Sequence, residues 1–133
     1  MKNVAIKENH LYQKAYVRGK RYVGKCVAVY VLRDYAARRL AHAHPEKKTV
    51  NRLGLSVSKK IGTAVSRNRA KRIMRAAYDP LRDRLRTGFL VVISAREAIR
   101  GKKAQDVQRD LERAFSTLDM LRMPQEGGKN ATP

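Results

Sequence analysis

The sequence is poor in acidic residues and contains one cysteine, no tryptophan and no long apolar run. Asp and Glu number 11 against 31 Lys and Arg in 133 residues, which gives a formal net charge of +20. Because Cys26 has no second cysteine to pair with, an intramolecular disulfide and a zinc site built from cysteines are excluded. The longest apolar run, residues 26–32, is far shorter than the roughly 20 residues of a membrane-spanning helix.

What remains is a strongly cationic chain, and its charge predicts a polyanionic partner. Nucleic acid is favoured over a membrane surface. The N-terminal residues lack the apolar segment of a secretory signal, so we expect a cytoplasmic protein. Hydrophobic residues make up 43% of the chain, enough to build a core despite the charge. We expect a flexible N-terminus over residues 1–8, one folded domain over 9–121 and a disordered tail over 122–133.

Periodicity and capping signals predict a mixed order of helices and strands. Asn9 is expected to cap the first helix, Thr63 to cap the second, and Pro80 to end the second. Gly24 allows the first strand region to be split in two. Few strands in mixed order predict an α+β fold, in which helices cover one sheet. The expected helices are 10–18, 64–78 and 103–120, and the expected strands are 22–32, 52–58 and 89–93.

The second predicted helix is basic along one face. From Lys59 to Tyr78 there are seven basic residues and no acid. The i,i+4 ion pairs that offset repulsion between like charges on most surface helices are therefore missing. At about 100° per residue, the polar side chains fall within an arc of about 140°, opposite an apolar arc. This pattern favours phosphate binding over a merely solvated face, and arginine suits phosphate because it binds in bidentate geometry. The basic face consists of Arg67, Asn68, Lys71, Arg72 and Arg75, with Arg69 at its boundary. The apolar arc consists of Ala70, Ile73, Met74 and Ala77.

A catalytic site made of protein side chains is not evident. His42 and His44 lie in a polar connection without further ligands nearby, so we do not expect a metal there. No base accompanies Ser56 or Ser58. A ribosomal or RNA-chaperone protein, a DNA-compacting protein and a freestanding nuclease stay open as alternatives, although groove-reading motifs and metal clusters are not found. Four acids are expected to be solvated positions on the last helix: Asp106, Asp110, Glu112 and Asp119.

One segment carries a more specific signal. Residues 54–78 resemble the signature of the bacterial ribonuclease P protein family, in which Arg-Asn-Arg lies on a helix and follows Ser-Lys-Lys. Here these are Arg67-Asn68-Arg69 and Ser58-Lys59-Lys60. The resemblance covers residues 9–121. It departs from the family at Gly88, where an Asp usually opens the last strand.

The resemblance implies both a fold and a function. The fold would be a single-domain α/β sandwich of about four strands flanked by helices, with a left-handed βαβ crossover, similar to the second domain of ribosomal protein S5. The function would be that of the protein subunit of ribonuclease P, whose RNA hydrolyses precursor tRNA with Mg²⁺. The protein would join the catalytic RNA in a 1:1 complex and contribute no catalytic residue, metal ligand or organic cofactor. It would act in the bacterial cytoplasm without a membrane partner.

The resemblance also implies two RNA-binding surfaces. Aromatic residues at helical spacing more often pack a core, so the family resemblance, not the spacing, carries the second surface. The catalytic RNA would be bound by Arg67, Asn68, Arg69, Lys71, Arg72 and Arg75. The single-stranded 5′ leader of precursor tRNA would be bound by Tyr12, Tyr16, Tyr30, Lys59 and Lys60.

Overall fold

The computed structural model describes residues 4–6, 8–34 and 51–121. Within them the chain forms five strands and three α-helices, together with 3₁₀ turns at Lys59–Ile61 and Glu97–Ile99. The strands are β1 (Val4–Ala5), β2 (Lys20–Val23), β3 (Val27–Arg33), β4 (Arg52–Ser56) and β5 (Phe89–Ala95). The helices are α1 (Asn9–Arg18), α2 (Ala64–Arg82) and α3 (Ala104–Thr117).

The strands form one mixed sheet in the order β1-β4-β5-β3-β2. Strands β4 and β5 are parallel, and α2 connects them. Strand β3 pairs antiparallel with both β5 and β2. Four main strands and a two-residue edge strand, covered by helices, confirm the predicted α+β class. The expected tail, 122–133, lies outside the described residues.

The larger core lies between the sheet and helices α2 and α3. Alternate residues of β3 point into it: Val27, Val29 and Val31 are buried there, as the two-residue period of a strand requires. The fully buried rings of Tyr78 and Phe115 meet edge-on, with centroids 6.2 Å apart. This contact joins the two helices over the sheet, so α2 has a fixed position relative to β4 and β5.

Helix α1 covers the opposite face of the sheet, over a smaller core that includes Ala15 and Val92. Its start is tied to the sheet by Arg52 of β4, which pairs with Asp34 through two hydrogen bonds of 2.8 and 2.9 Å. Glu8 lies 3.4 Å from the same guanidinium. The hydrogen bond to Asp34 raises the pKa of Arg52. This buried pair positions α1 at the end of the sheet where β4 begins.

Helix α2 begins as predicted but ends later. The Thr63 hydroxyl accepts a hydrogen bond from the Ser66 N–H at 3.3 Å, which is N-cap geometry. Pro80 lies inside the helix, so the prediction that it ends the helix was wrong. Proline lacks the N–H that would bond to the carbonyl four residues earlier, but the buried side chains of Tyr78 and Leu81 hold the last turn by packing.

Three smaller predictions were also wrong. The N-cap of α1 is Glu8, not Asn9, and its side chain makes no capping bond. Asp110 is 5% exposed and not solvated, because its carboxylate accepts the backbone N–H groups of the β2–β3 turn. Asp119 lies beyond the end of α3, with φ of 59°. The burial of Asp110 depends on a contact between segments that helical periodicity does not encode.

Candidate nucleic-acid interface

The basic face of α2 is open to solvent where the sequence predicts it. Ala70, Met74 and Ala77 are buried on the sheet side, while Ile73 is half-buried. Around the rest of the helix lies the cationic set. Arg67 and Lys71 are half-buried along its border, and Asn68, Arg69, Arg72 and Arg75 are exposed.

Arg69 differs from the other members of this set. Its Nη2 donates to the Lys102 carbonyl at 3.1 Å, so the side chain reaches towards the segment before α3. The angular position of Arg69, at the boundary of the basic arc, accounts for this. The contact joins α2 to residues 96–103, where Arg96, Arg100, Lys102 and Lys103 are all exposed.

The predicted lysines Lys59 and Lys60 lie on the 3₁₀ turn that follows β4, and both are exposed. Arg100 donates to the Lys60 carbonyl at 2.6 Å, which fixes the turn against the segment after β5. Gly62 then adopts φ of 137°, a conformation that side-chain-bearing residues rarely take. This turn positions both lysines between the end of β4 and the start of α2.

Tyr12 lies on the other face of the sheet, directly over β4. A Cβ at Gly54 would come within 2.7 Å of its ring and hydroxyl, so a glycine is required for this approach. Burial raises the pKa of Tyr12, nearby Tyr16 raises it further, and a hydrogen bond with the Leu55 backbone lowers it. The ring is half-buried, so one part packs on the strand and another part faces solvent.

Tyr16 and Tyr30 form a second aromatic contact beside it. Their ring centroids lie 4.9 Å apart at an interplanar angle of 76°, an edge-to-face arrangement that aromatic pairs favour. Both rings are half-buried at the border of the smaller core. Tyr12 and Tyr16 therefore lie one helical turn apart on α1, over β4 and β3 respectively, so all three predicted tyrosines share one face.

Beside these rings the sheet carries a row of small side chains. Ser56 pairs with Ser94, and Ser94 pairs with Ala28, so the three residues lie side by side on the face that carries α1. Both serines are only half-buried, and Val23, next in the row, is 54% exposed. We call the surface made of the tyrosines and this row the leader cleft, after the role that the family resemblance implies, and Lys59 follows at the same end of β4.

Several residues of this region were missed by the sequence analysis. Gly54 carried a usable signal, because a glycine inside a strand often marks close backbone approach. The four cations of residues 96–103 also carried a usable signal, because they directly follow an apolar strand. His42 and His44 lie outside the described residues. Within 4–6, 8–34 and 51–121, no group of three or more His, Cys, Asp or Glu side chains could hold a metal ion.

Comparison with known proteins identifies the family of this chain. A family model described as Ribonuclease P matches residues 1–119. The chain belongs to the ribonuclease P protein family. It is 32% identical to the ribonuclease P protein component of Clostridium acetobutylicum over 121 residues, which cover 91% of this chain and 93% of the relative. The Bacillus cereus (strain B4264) component is 35% identical over 118 residues, covering 89% and 93%.

Solved structures of the family share the fold. The RNase P protein of Staphylococcus aureus aligns with a TM-score of 0.71 and 25% identity, over 91% of this chain and all of that one. The RNase P protein of Thermotoga maritima aligns with a TM-score of 0.62 and 20% identity, over 85% and 94%, which supports the fold alone. The chain is thus a protein component of ribonuclease P, a ribonucleoprotein enzyme of tRNA processing, and its partner is the RNA subunit. No helix in the described part of the chain is long and apolar enough to span a membrane.

Proposed function

We propose that this protein binds the catalytic RNA of ribonuclease P through α2 and the 5′ leader of precursor tRNA through the leader cleft. It would thereby assist the magnesium-dependent removal of the leader. The observation that carries the proposal is the half-covered sheet. Helix α1 leaves Ser56 and Ser94 half-buried and Val23 exposed beside three tyrosine rings, which provides a surface for an extended single strand.

The exposed face of α2 supports the assignment to the catalytic RNA. The helix carries four exposed or half-buried arginines and a lysine, with no acid before Asp79. It therefore presents a nearly continuous row of hydrogen-bond donors for phosphate oxygens. Arginine can hold a phosphate through two parallel hydrogen bonds. Because phosphate contacts position a protein without reading sequence, this surface suits docking on a folded RNA. The residues are Arg67, Asn68, Arg69, Lys71, Arg72 and Arg75.

The leader cleft suits a strand of variable sequence. Aromatic rings stack on any base, at roughly 1–3 kcal/mol per base, so they need no particular leader. Tyr12, Tyr16 and Tyr30 would offer these rings, and Lys59 and Lys60 at the end of β4 would hold leader phosphates. The two surfaces lie on opposite faces of one sheet, so one protein could engage both RNAs in a 1:1 complex.

The chemistry is assigned to the RNA, which would hold the Mg²⁺ that hydrolysis requires. The protein's part is electrostatic and positional. A net charge of +20 offsets repulsion between the phosphates of two RNAs, a task that Mg²⁺ must otherwise perform. We therefore propose that the protein acts most strongly when Mg²⁺ is scarce, in the bacterial cytoplasm.

The test is cleavage of a precursor tRNA by bacterial ribonuclease P RNA at low Mg²⁺, with and without the protein. We expect a large stimulation that yields the mature 5′ end, and no cleavage by the protein alone. Tight RNA binding without stimulation would contradict the proposal and would favour a chaperone role. Cleavage by the protein alone would instead favour the freestanding nuclease.

A further inference from the structure

A pocket of about 360 Å³ lies away from both proposed RNA surfaces. It is formed where β3 ends, where β5 begins and where the chain leaves α3. The leader cleft lies at the opposite end of these strands, beside Ser94 and Ala28. The pocket is lined by Arg18, Lys20, Val31, Leu32, Arg33, Arg86, Phe89, Leu118, Asp119 and Met120.

The rim of this pocket carries unneutralised positive charge. Four of the lining residues are cationic and one is acidic. The acid, Asp119, is already paired with Arg86 at 3.2 Å. Arg18, Lys20 and Arg33 make no ion pair within the described part of the chain. Three cations around one concave site favour a phosphate group.

The floor of the pocket is apolar and partly aromatic. Phe89 and Leu118 are half-buried against the larger core, so each still exposes part of its surface to the cavity. The Arg86 guanidinium lies 6.0 Å from the centroid of the Phe89 ring, at the outer range of a cation–π contact. The guanidinium lies over the ring, and a base can stack either on an aromatic ring or on a guanidinium plane.

We propose that this pocket binds one unpaired nucleotide of the partner RNA. Its base would lie on Phe89 and Leu118, and its phosphate among Arg18, Lys20 and Arg33. The volume lies within the range of small-ligand pockets, roughly 300–1,000 Å³. A phosphate alone would not use the apolar floor, and an apolar ligand would not use the cations. The nucleotide satisfies both parts, and the RNA subunit brings unpaired nucleotides to the protein.

The first experiment follows backbone amide signals of the ¹⁵N-labelled full chain during titration with adenosine monophosphate, adenosine or inorganic phosphate. We expect Phe89, Leu118 and Asp119 to shift, with adenosine monophosphate saturating at a concentration about tenfold lower than phosphate, as one stacking contact predicts. Equal saturation by phosphate would overturn the nucleotide assignment. Shifts confined to other surfaces would overturn the site itself.

Two variants and one control separate binding from folding. Arg33→Ala removes a rim cation that lies on the surface, whereas Phe89→Leu keeps an apolar side chain and removes the ring. Both should weaken adenosine monophosphate binding while the rest of the amide spectrum stays folded. Arg113→Ala, an exposed arginine of α3 that does not line the pocket, should change nothing. If Arg113→Ala weakens binding as much as Arg33→Ala, only general charge is at work and the proposal fails.

The same variants decide whether the RNA subunit uses the pocket. Arg33→Ala should weaken assembly with ribonuclease P RNA several-fold and make its salt dependence shallower, because a phosphate contact is lost. Discrimination between precursor and mature tRNA should stay unchanged, since the leader cleft is intact. Loss of that discrimination with unchanged assembly would overturn the pocket's assignment to the RNA subunit. A failure of the leader-cleft proposal would appear in Tyr16 variants instead, so the two failures are distinguishable.

Discussion

The ring of Tyr12 lies against the backbone of β4 at Gly54, where even one added carbon would come within 2.7 Å of the ring and the hydroxyl. This contact joins α1 to β4, which lies next to the edge strand β1. It also places Tyr12 beside the row of small side chains that begins at Ser56. The position of Tyr12 in the leader cleft therefore depends on the absence of a side chain at Gly54.

Gly54→Ala should displace Tyr12 and destabilise the protein. Overpacking of a tight contact costs about 1–3 kcal/mol, measurable by urea unfolding. The double variant with Tyr12→Ala removes the obstacle, so its loss should be smaller than the sum of the two single losses. Additive losses would show that the two residues do not interact.

Tyr16→Ala should weaken binding of precursor tRNA by about 1–3 kcal/mol, the value of one stacked base, and leave binding of mature tRNA unchanged. Both affinities can be measured on the assembled ribonucleoprotein. Tyr16→Phe, which keeps the ring and its edge contact with Tyr30, is the matched control. Equal losses for both substrates would remove Tyr16 from the leader cleft.

Arg72→Glu should weaken assembly with the RNA subunit, because it reverses a charge at the centre of the exposed face of α2. Titration of ribonuclease P RNA at several salt concentrations should also show a shallower salt dependence than for the unchanged protein. Arg113→Glu reverses an exposed charge on α3 and provides the control. An affinity that is independent of salt would contradict phosphate binding altogether.

Asp110→Ala should destabilise the fold without changing the RNA surfaces. Its carboxylate accepts the N–H groups of Cys26 at 2.6 Å and Val27 at 3.3 Å, and buried donors left without partners cost about 1–3 kcal/mol. Urea unfolding measures the loss. Glu112 is an acid on the same helix and is only half-buried. Glu112→Ala should therefore lower the free energy of unfolding much less.

Tyr78 should make the protein sensitive to alkaline pH. Burial raises the pKa of Tyr78 from its ordinary value of 10.0 to about 12, so the folded protein keeps a proton that the unfolded chain loses earlier. Stability is therefore unaffected below pH 10 and decreases as the pH rises towards about 12. Tyr78→Phe should remove on the order of 2 kcal/mol of that decrease. Identical pH profiles for the two proteins would show that the hydroxyl does not titrate in this way.

The elements with strong local signals could be predicted from the sequence. Thr63 caps α2 and the apolar residues of α2 recur at helical spacing, so its start and buried face were correct. Strand β5 was found because a short apolar run follows Gly88. The predicted split of the first strand region at Gly24 was confirmed, because a turn separates β2 from β3.

What could not be predicted depends on contacts between distant segments. The two-residue strand β1 exists because it pairs with Arg52 and Leu53, nearly fifty residues away. Asp110 is indistinguishable in sequence from a solvated helix acid until α3 is packed over the β2–β3 turn. For the site, the basic face followed from helical geometry. The leader cleft required the family resemblance, since spacing alone also suits a core.

Strand β4 connects the two proposed RNA surfaces through adjacent residues. Leu53 is buried in the core under α2 and α3, Gly54 receives Tyr12 of α1, and Arg52 anchors the start of that helix. Helices α1 and α2 therefore cannot shift independently of this strand. On the proposed assignment of the two surfaces, the protein acts as a rigid spacer, and the thickness of the fold sets the separation between the two RNAs.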